Sequence, residues 1–197
     1  MKITNILLSC AAFAALSATA SAALMTYTQT GFLSGSLDGT SFTDAAVTLR
    51  VTADTANVNY AELNEVLPHW SNAGVTTIDI VGFETATFNG SNVFGAFSLN
   101  LSALGTAGVG IADLTNSYGI LGNYQTTELN YALATATTFT GAATNSNETY
   151  STTLGDLITT GTSGNATFTA AAVPEPSAFA LLGLGTVGLV ARRRRVA

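Results

Sequence analysis

Apolar and polar residues alternate with a period of two over much of the middle of the chain. Between residues 42 and 53, Val47, Leu49 and Val51 fall on one face and Thr48, Arg50 and Thr52 on the other. Successive side chains of a strand point to opposite sides, so this spacing predicts a half-buried strand. Residues 26–36 predict its partner, and Leu37-Asp38-Gly39-Thr40 supplies the Asp-Gly pair of a tight hairpin turn. Residues 76–89 and 93–101 read as further strands about the turn Asn89-Gly90. A long strand is predicted over 128–140, with Leu129, Tyr131 and Leu133 on one face. Residues 149–154, 157–160 and 165–170 complete the set, with Ser163-Gly164 as a turn and Ala170-Ala171-Ala172 as a linker.

One stretch departs from this period. Tyr60, Leu63 and Leu67 have helical spacing, with Glu62 and Glu65 on another face, so a short helical turn is expected over 61–66, stopped by Pro68. About eight to ten strands separated by Gly-rich turns predict an all-β domain, an antiparallel β-sandwich or jelly roll.

The two ends have a different pattern. Lys2, an apolar run over 6–16 and the small-x-small triplet Ala20-Ser21-Ala22 form a signal peptide over 1–22, a helix cut after Ala22 or, alternatively, after Ala20. Export then runs through the Sec translocon. Cys10 is the only cysteine and lies inside this segment, so a mature chain beginning at Ala23 has no thiol, no disulfide and no cysteine nucleophile.

At the other end, Pro174 and Pro176 stiffen an extended segment around Glu175. Residues 178–191 carry no charge, and Arg192, Arg193, Arg194 and Arg195 follow them. As a helix the apolar run is about 21 Å long, short of the roughly 30 Å of a bilayer core. It reads as a short transmembrane helix, with the arginines on the cytoplasmic side and the β domain outside.

This three-part order over 173–197 resembles the PEP-CTERM sorting signal of bacterial surface proteins. The resemblance implies that an integral-membrane transpeptidase, the exosortase, recognises Pro174-Glu175-Pro176 and processes the tail. It also implies passage through the inner membrane to the cell surface or matrix, and a setting in extracellular polysaccharide.

Charge narrows what the domain at 23–172 can bind. Eleven acids stand against one base, Arg50, which leaves this segment at a net −10 while the whole chain is −6. Nucleic-acid binding rests on Lys and Arg contacts to phosphate, so it is excluded as a function class.

Catalytic chemistry finds little purchase. His69 is the only histidine, in the aromatic stretch Leu67-Pro68-His69-Trp70, and it reads as a loop histidine packed beside Trp70. A zinc site needs more nitrogen or sulfur ligands than this. Glu62 with Glu65 reads as solvated surface, and Asp79 with Glu84 as residues on opposite strand faces. Asp54, Asn57 and Asn59 form the densest oxygen-donor loop, with Asp38 and Asp44 next, and turn formation accounts for all five. Tyr60 and Trp70 read as core filling, with a sugar-stacking platform as the alternative. No metal, cofactor or catalytic residue is assigned. The chain is expected to be a non-enzymatic exported surface or matrix protein, structural or adhesive. A carbohydrate-binding module, Ca-dependent or not, and a secreted hydrolase are the alternatives.

Overall fold

The computed structural model describes residues 23–63, 67–101, 106–125, 129 and 131–173. The signal segment with Ala20 and Ala22, and the tail with Pro174, Glu175, Pro176 and Arg192 to Arg195, lie outside them, as do the expected signal and transmembrane helices. Among the described residues no helix is long and apolar enough to cross a membrane.

The described chain is built of antiparallel β-strands joined by turns and irregular segments, with one 3-10 turn at Thr55–Asn57. Its strands are β1 (Leu24–Leu37), β2 (Thr40–Asp54), β3 (Asn59–Leu63), β4 (Leu67–Ala73), β5 (Val75–Ile80) and β6 (Ala86–Thr87). They continue as β7 (Phe94–Leu101), β8 (Thr106–Asp113), β9 (Tyr118–Gln125), β10 (Thr137–Thr144), β11 (Thr149–Thr152) and β12 (Gly155–Ala172). They form one open, curled sheet in the order β3-β4-β7-β8-β9-β10-β12-β1-β2-β5-β6, with β11 paired to β12. The layers expected of a sandwich are thus parts of one hydrogen-bonded path that packs its inner face on itself.

The curl has a local cause. β4 and β5 are one run of chain interrupted only at Gly74, yet they stand near opposite ends of the path. Ala73 pairs with Gly95 of β7, whereas Val75 pairs with Thr52 of β2. The strand changes partners at the glycine, and this brings the two ends of the sheet together. A Cβ at Gly74 would lie 2.3 Å from the Thr52 carbonyl oxygen and 2.9 Å from the Ala53 Cβ. Only a residue without a side chain permits that approach. A second, smaller join links Phe88, just beyond β6, to Thr152 of β11.

The inner face follows the period-two reading. Val47, Leu49 and Val51 of β2 are buried, together with Met25, Tyr27 and Leu33 of β1 and Leu157, Ala166 and Phe168 of β12. The core also encloses polar groups. The Tyr27 hydroxyl donates to the Leu133 carbonyl at 2.5 Å and accepts from Asn72 Nδ2 at 2.8 Å. Leu133 has a left-handed backbone, φ 56°, so this bond pins an irregular segment against β1.

Four local expectations are corrected. Residues 59–63 are strand, not the start of a helical turn: β3 pairs with β4 from Asn59–Ser71 to Leu63–Leu67, and this pairing overrides the helical spacing. The region 128–140 is not one long strand, since β10 begins only at Thr137. Ser163-Gly164 does not separate two strands. It lies inside the 18-residue β12 as a bulge, with Gly164 at φ 62° and a register shift opposite Thr30 and Phe32. Finally, Ala170-Ala171-Ala172 is not a linker: these residues pair with Tyr27, Thr26 and Met25, and the Val173 N–H donates to the Leu24 carbonyl at 2.8 Å.

Candidate functional site

The acidic positions mostly serve the backbone. Asp54 Oδ1 accepts from the Ala56 N–H at 2.9 Å and caps the 3-10 turn. Asp38 and Asp44 hold left-handed turn and bulge positions, φ 48° and 49°, and the Ser163 hydroxyl donates to Asp44. Among the described residues no three His, Cys, Asp or Glu side chains converge as a metal site. Glu84 lies between β5 and β6 rather than in a strand. Asp79 pairs with Arg50, the domain's one base, and accepts from the Thr85 hydroxyl. The Thr85 bond holds the Asp79 carboxyl below its ordinary range against the opposing effect of burial, and Arg50 adds smaller lowering contributions. Glu65 and Glu128 lie outside the described residues.

Asp113, which no sequence signal singles out, is buried at the end of β8. Its Oδ1 accepts from the N–H groups of Thr115 and Asn116, and its Oδ2 from the side-chain amides of Asn92 and Asn116. A buried carboxylate needs such partners, and here it ties the β8–β9 turn to the start of β7.

The aromatic stretch is not a loop. His69 and Trp70 lie in β4, so they point to opposite faces. Trp70 packs on the core and meets Tyr60 at 5.3 Å between ring centroids, tilted by 48°. A pair tilted in this way, with one ring against the core, offers no flat platform. His69 faces outward instead and lines a shallow hollow with Ser71, Phe97, Leu99, Ser117 and Gly119. A second hollow shares Phe97, Leu99, Ser117 and Gly119 and runs on to Tyr124, Asn145 and Ser146.

The register explains the groove. Ser71, Phe97, Gly110, Gly122 and Thr144 lie in one row across β4, β7, β8, β9 and β10. Two glycines in the middle of that row remove the side chains that would fill the outer face. A Cβ at Gly110 or Gly122 would come within 3.1 or 3.3 Å of the Phe97 ring, so the distal edge of the ring overlies this bare floor. The alternation Gly108-Val109-Gly110 is the sequence signal for such a floor, since it strips one face of a strand and leaves Val109 in the core.

The tail resembles a known sorting signal. Residues 172–195 match the model of the PEP-CTERM protein-sorting motif. The chain carries a PEP-CTERM sorting motif. This motif implies C-terminal sorting of an exported protein. The match begins at Ala172, the last residue of β12, so the sorting motif starts where the sheet stops. No curated protein and no solved structure matches the chain significantly.

Proposed function

We infer that this is an exported surface protein, delivered through the Sec translocon, held briefly in the inner membrane by its tail and processed there by an exosortase at Pro174-Glu175-Pro176. Cleavage of the signal after Ala22 frees the N-terminus, and Arg192 to Arg195 keep the far end of the tail in the cytoplasm until processing. The β domain then acts outside the cell as a structural or adhesive element, without catalysis. The observation that carries the reading is the sorting motif joined without a spacer to the last strand of an acidic β domain. The local uses of Asp38, Asp44, Asp54 and Asp113 in turns and bulges and of Asp79 in an ion pair also support the non-enzymatic part.

The test is the intact mass of the protein from surface and membrane fractions, for the wild type and for a variant with Pro174, Glu175 and Pro176 changed to alanine. The wild type is expected to start at Ala23 and to have lost the arginines. The variant is expected to retain them and to stay in the membrane fraction. Equal masses at the C-terminus would refute the processing.

A further inference from the structure

We propose that the outer-face groove centred on Phe97 binds a neutral polysaccharide chain; this rests on the adhesive reading and names what is adhered to. Shape carries it first. The two hollows, about 160 and 180 Å³, are each smaller than the few hundred Å³ of a pocket that encloses a small molecule. They adjoin along shared residues, so they form a continuous track suited to an extended ligand lying across β4, β7, β8 and β9. Phe97 lies between them over the glycine floor, half-buried. A partly exposed ring in such a place can stack against the C–H face of a sugar.

Polarity narrows the ligand further. Hydroxyls and an amide surround the ring: Ser71 and Ser117 near His69, and Asn145 and Ser146 beyond Gly119. His69 Nδ1 is buried with no hydrogen-bond partner, a state that costs free energy unless a ligand or water supplies one. Among the described residues no acid, lysine or arginine lines either hollow. A phosphate or uronate would meet no counter-charge there and would be repelled by a domain at net −10. A peptide strand is a poorer fit, because the groove lies on a sheet face whose backbone groups are already paired within the row.

His69 is also the reporter. It is the only histidine of the chain, so its imidazole C–H resonances need no assignment. The full chain, in mild detergent, is titrated with cellohexaose, laminarihexaose, mannohexaose and a galactan fragment, with an alginate hexamer as the anionic control. At least one neutral glycan is expected to shift the His69 resonance saturably, and alginate is expected to leave it unmoved. Gly119→Val should weaken that binding at least tenfold. A Cβ at Gly119 meets nothing within 4 Å, so this change fills the groove without disturbing the sheet. Phe97→Leu, which removes the ring, should do the same.

Loss of binding in both variants with unchanged near-UV dichroism supports the groove. No shift with any neutral glycan overturns the assignment. Undiminished binding in Gly119→Val overturns it too, while leaving adhesion through another surface standing. Cell-surface cohesion in a strain lacking the protein tests the adhesive reading separately: unchanged cohesion would sink that reading whatever the groove binds.

Discussion

Gly74→Ala is the most demanding test of the fold. The added methyl would lie 2.3 Å from the Thr52 carbonyl oxygen, 2.9 Å from the Thr52 carbonyl carbon and 2.9 Å from the Ala53 Cβ. Two of these atoms are backbone, so no rotamer change relieves the contact, and β2 must move by something near 1 Å relative to the bend. Gly95 fixes the other side in the same way, with a Cβ there 2.3 Å from the Asn72 carbonyl oxygen. Overpacking of this kind costs about 1–3 kcal/mol, and the backbone nature of the clash puts Gly74→Ala near the top of that range. Reduced freedom of the unfolded chain returns roughly 0.4–1 kcal/mol, leaving about 2 kcal/mol. At about 2–4 °C per kcal/mol for a chain of this size, the Tm should fall by about 4–8 °C. The readout is the fluorescence of Trp70, the only tryptophan, four residues before the bend. Gly161→Ala is the control: its Cβ meets nothing within 4 Å and its backbone is not left-handed, so its Tm should stay the same or rise slightly. A Gly74→Ala protein melting within 2 °C of wild type, on the order of what 0.5 kcal/mol gives, would refute the argument that the partner switch requires a bare backbone.

Other predictions bear on the polar groups. Tyr27→Phe strands the Leu133 carbonyl and the Asn72 amide in the core and should cost about 2–4 kcal/mol, read as a lower urea midpoint; a loss below about 0.5 kcal/mol would mean that the bonds are replaced. Asp113→Ala removes the acceptor of four hydrogen bonds and should cost a similar amount, with amide exchange accelerated first in the β8–β9 turn. Burial raises the phenol pKa of Tyr27, Tyr131 and Tyr150. A raised folded-state pKa supports stability below the unfolded value near 10 and loses that support as pH rises. Absorbance at 295 nm should therefore show these three phenols ionising late and together with unfolding, and a single transition near pH 10 for all six tyrosines of the chain would contradict this. Asp79 has the opposite sign. Its depressed pKa adds stability above the ordinary aspartate value near 4 that is lost as pH falls below it. The pair is largely exposed, so Asp79→Asn should flatten the acid limb of a stability–pH curve by under about 1 kcal/mol.

The β1–β2 hairpin was legible because each local signal agreed: Asp38-Gly39 takes left-handed φ values of 48° and 77°, and the alternation around Val47 to Val51 sets the buried face. Local pattern failed where pairing outweighed it. Tyr60 to Leu67 has helical spacing, but β3 and β4 gain a ladder from each other. Pro68 fits in β4 because its pairing with β7 begins only at His69, so no donor toward β7 is needed there. The bulge at Gly164 looked like a turn because glycine with positive φ serves both. Of the groove only the bare strand face at Gly108-Val109-Gly110 is marked in the sequence; the rest depends on the register that sets Ser71, Phe97, Gly110, Gly122 and Thr144 side by side. The sorting motif was legible in full because it is a linear signal that needs no fold.

β12 is the last strand among the described residues and one of the most central in the sheet. It joins β10 to β1, and along the sheet path nothing else bridges β1, β2, β5 and β6 to the group from β3 to β10. On the proposed export route, N-terminus first, the domain would remain two incomplete sheets, with open edges, until β12 has emerged. Long-range pairing of first and last strands makes such a fold slow and late. On that route closure of the sheet would come last, as the adjoining sorting motif reaches the membrane. The placing of β12 would thus make completion of the domain and delivery of the sorting motif one late event on the proposed route.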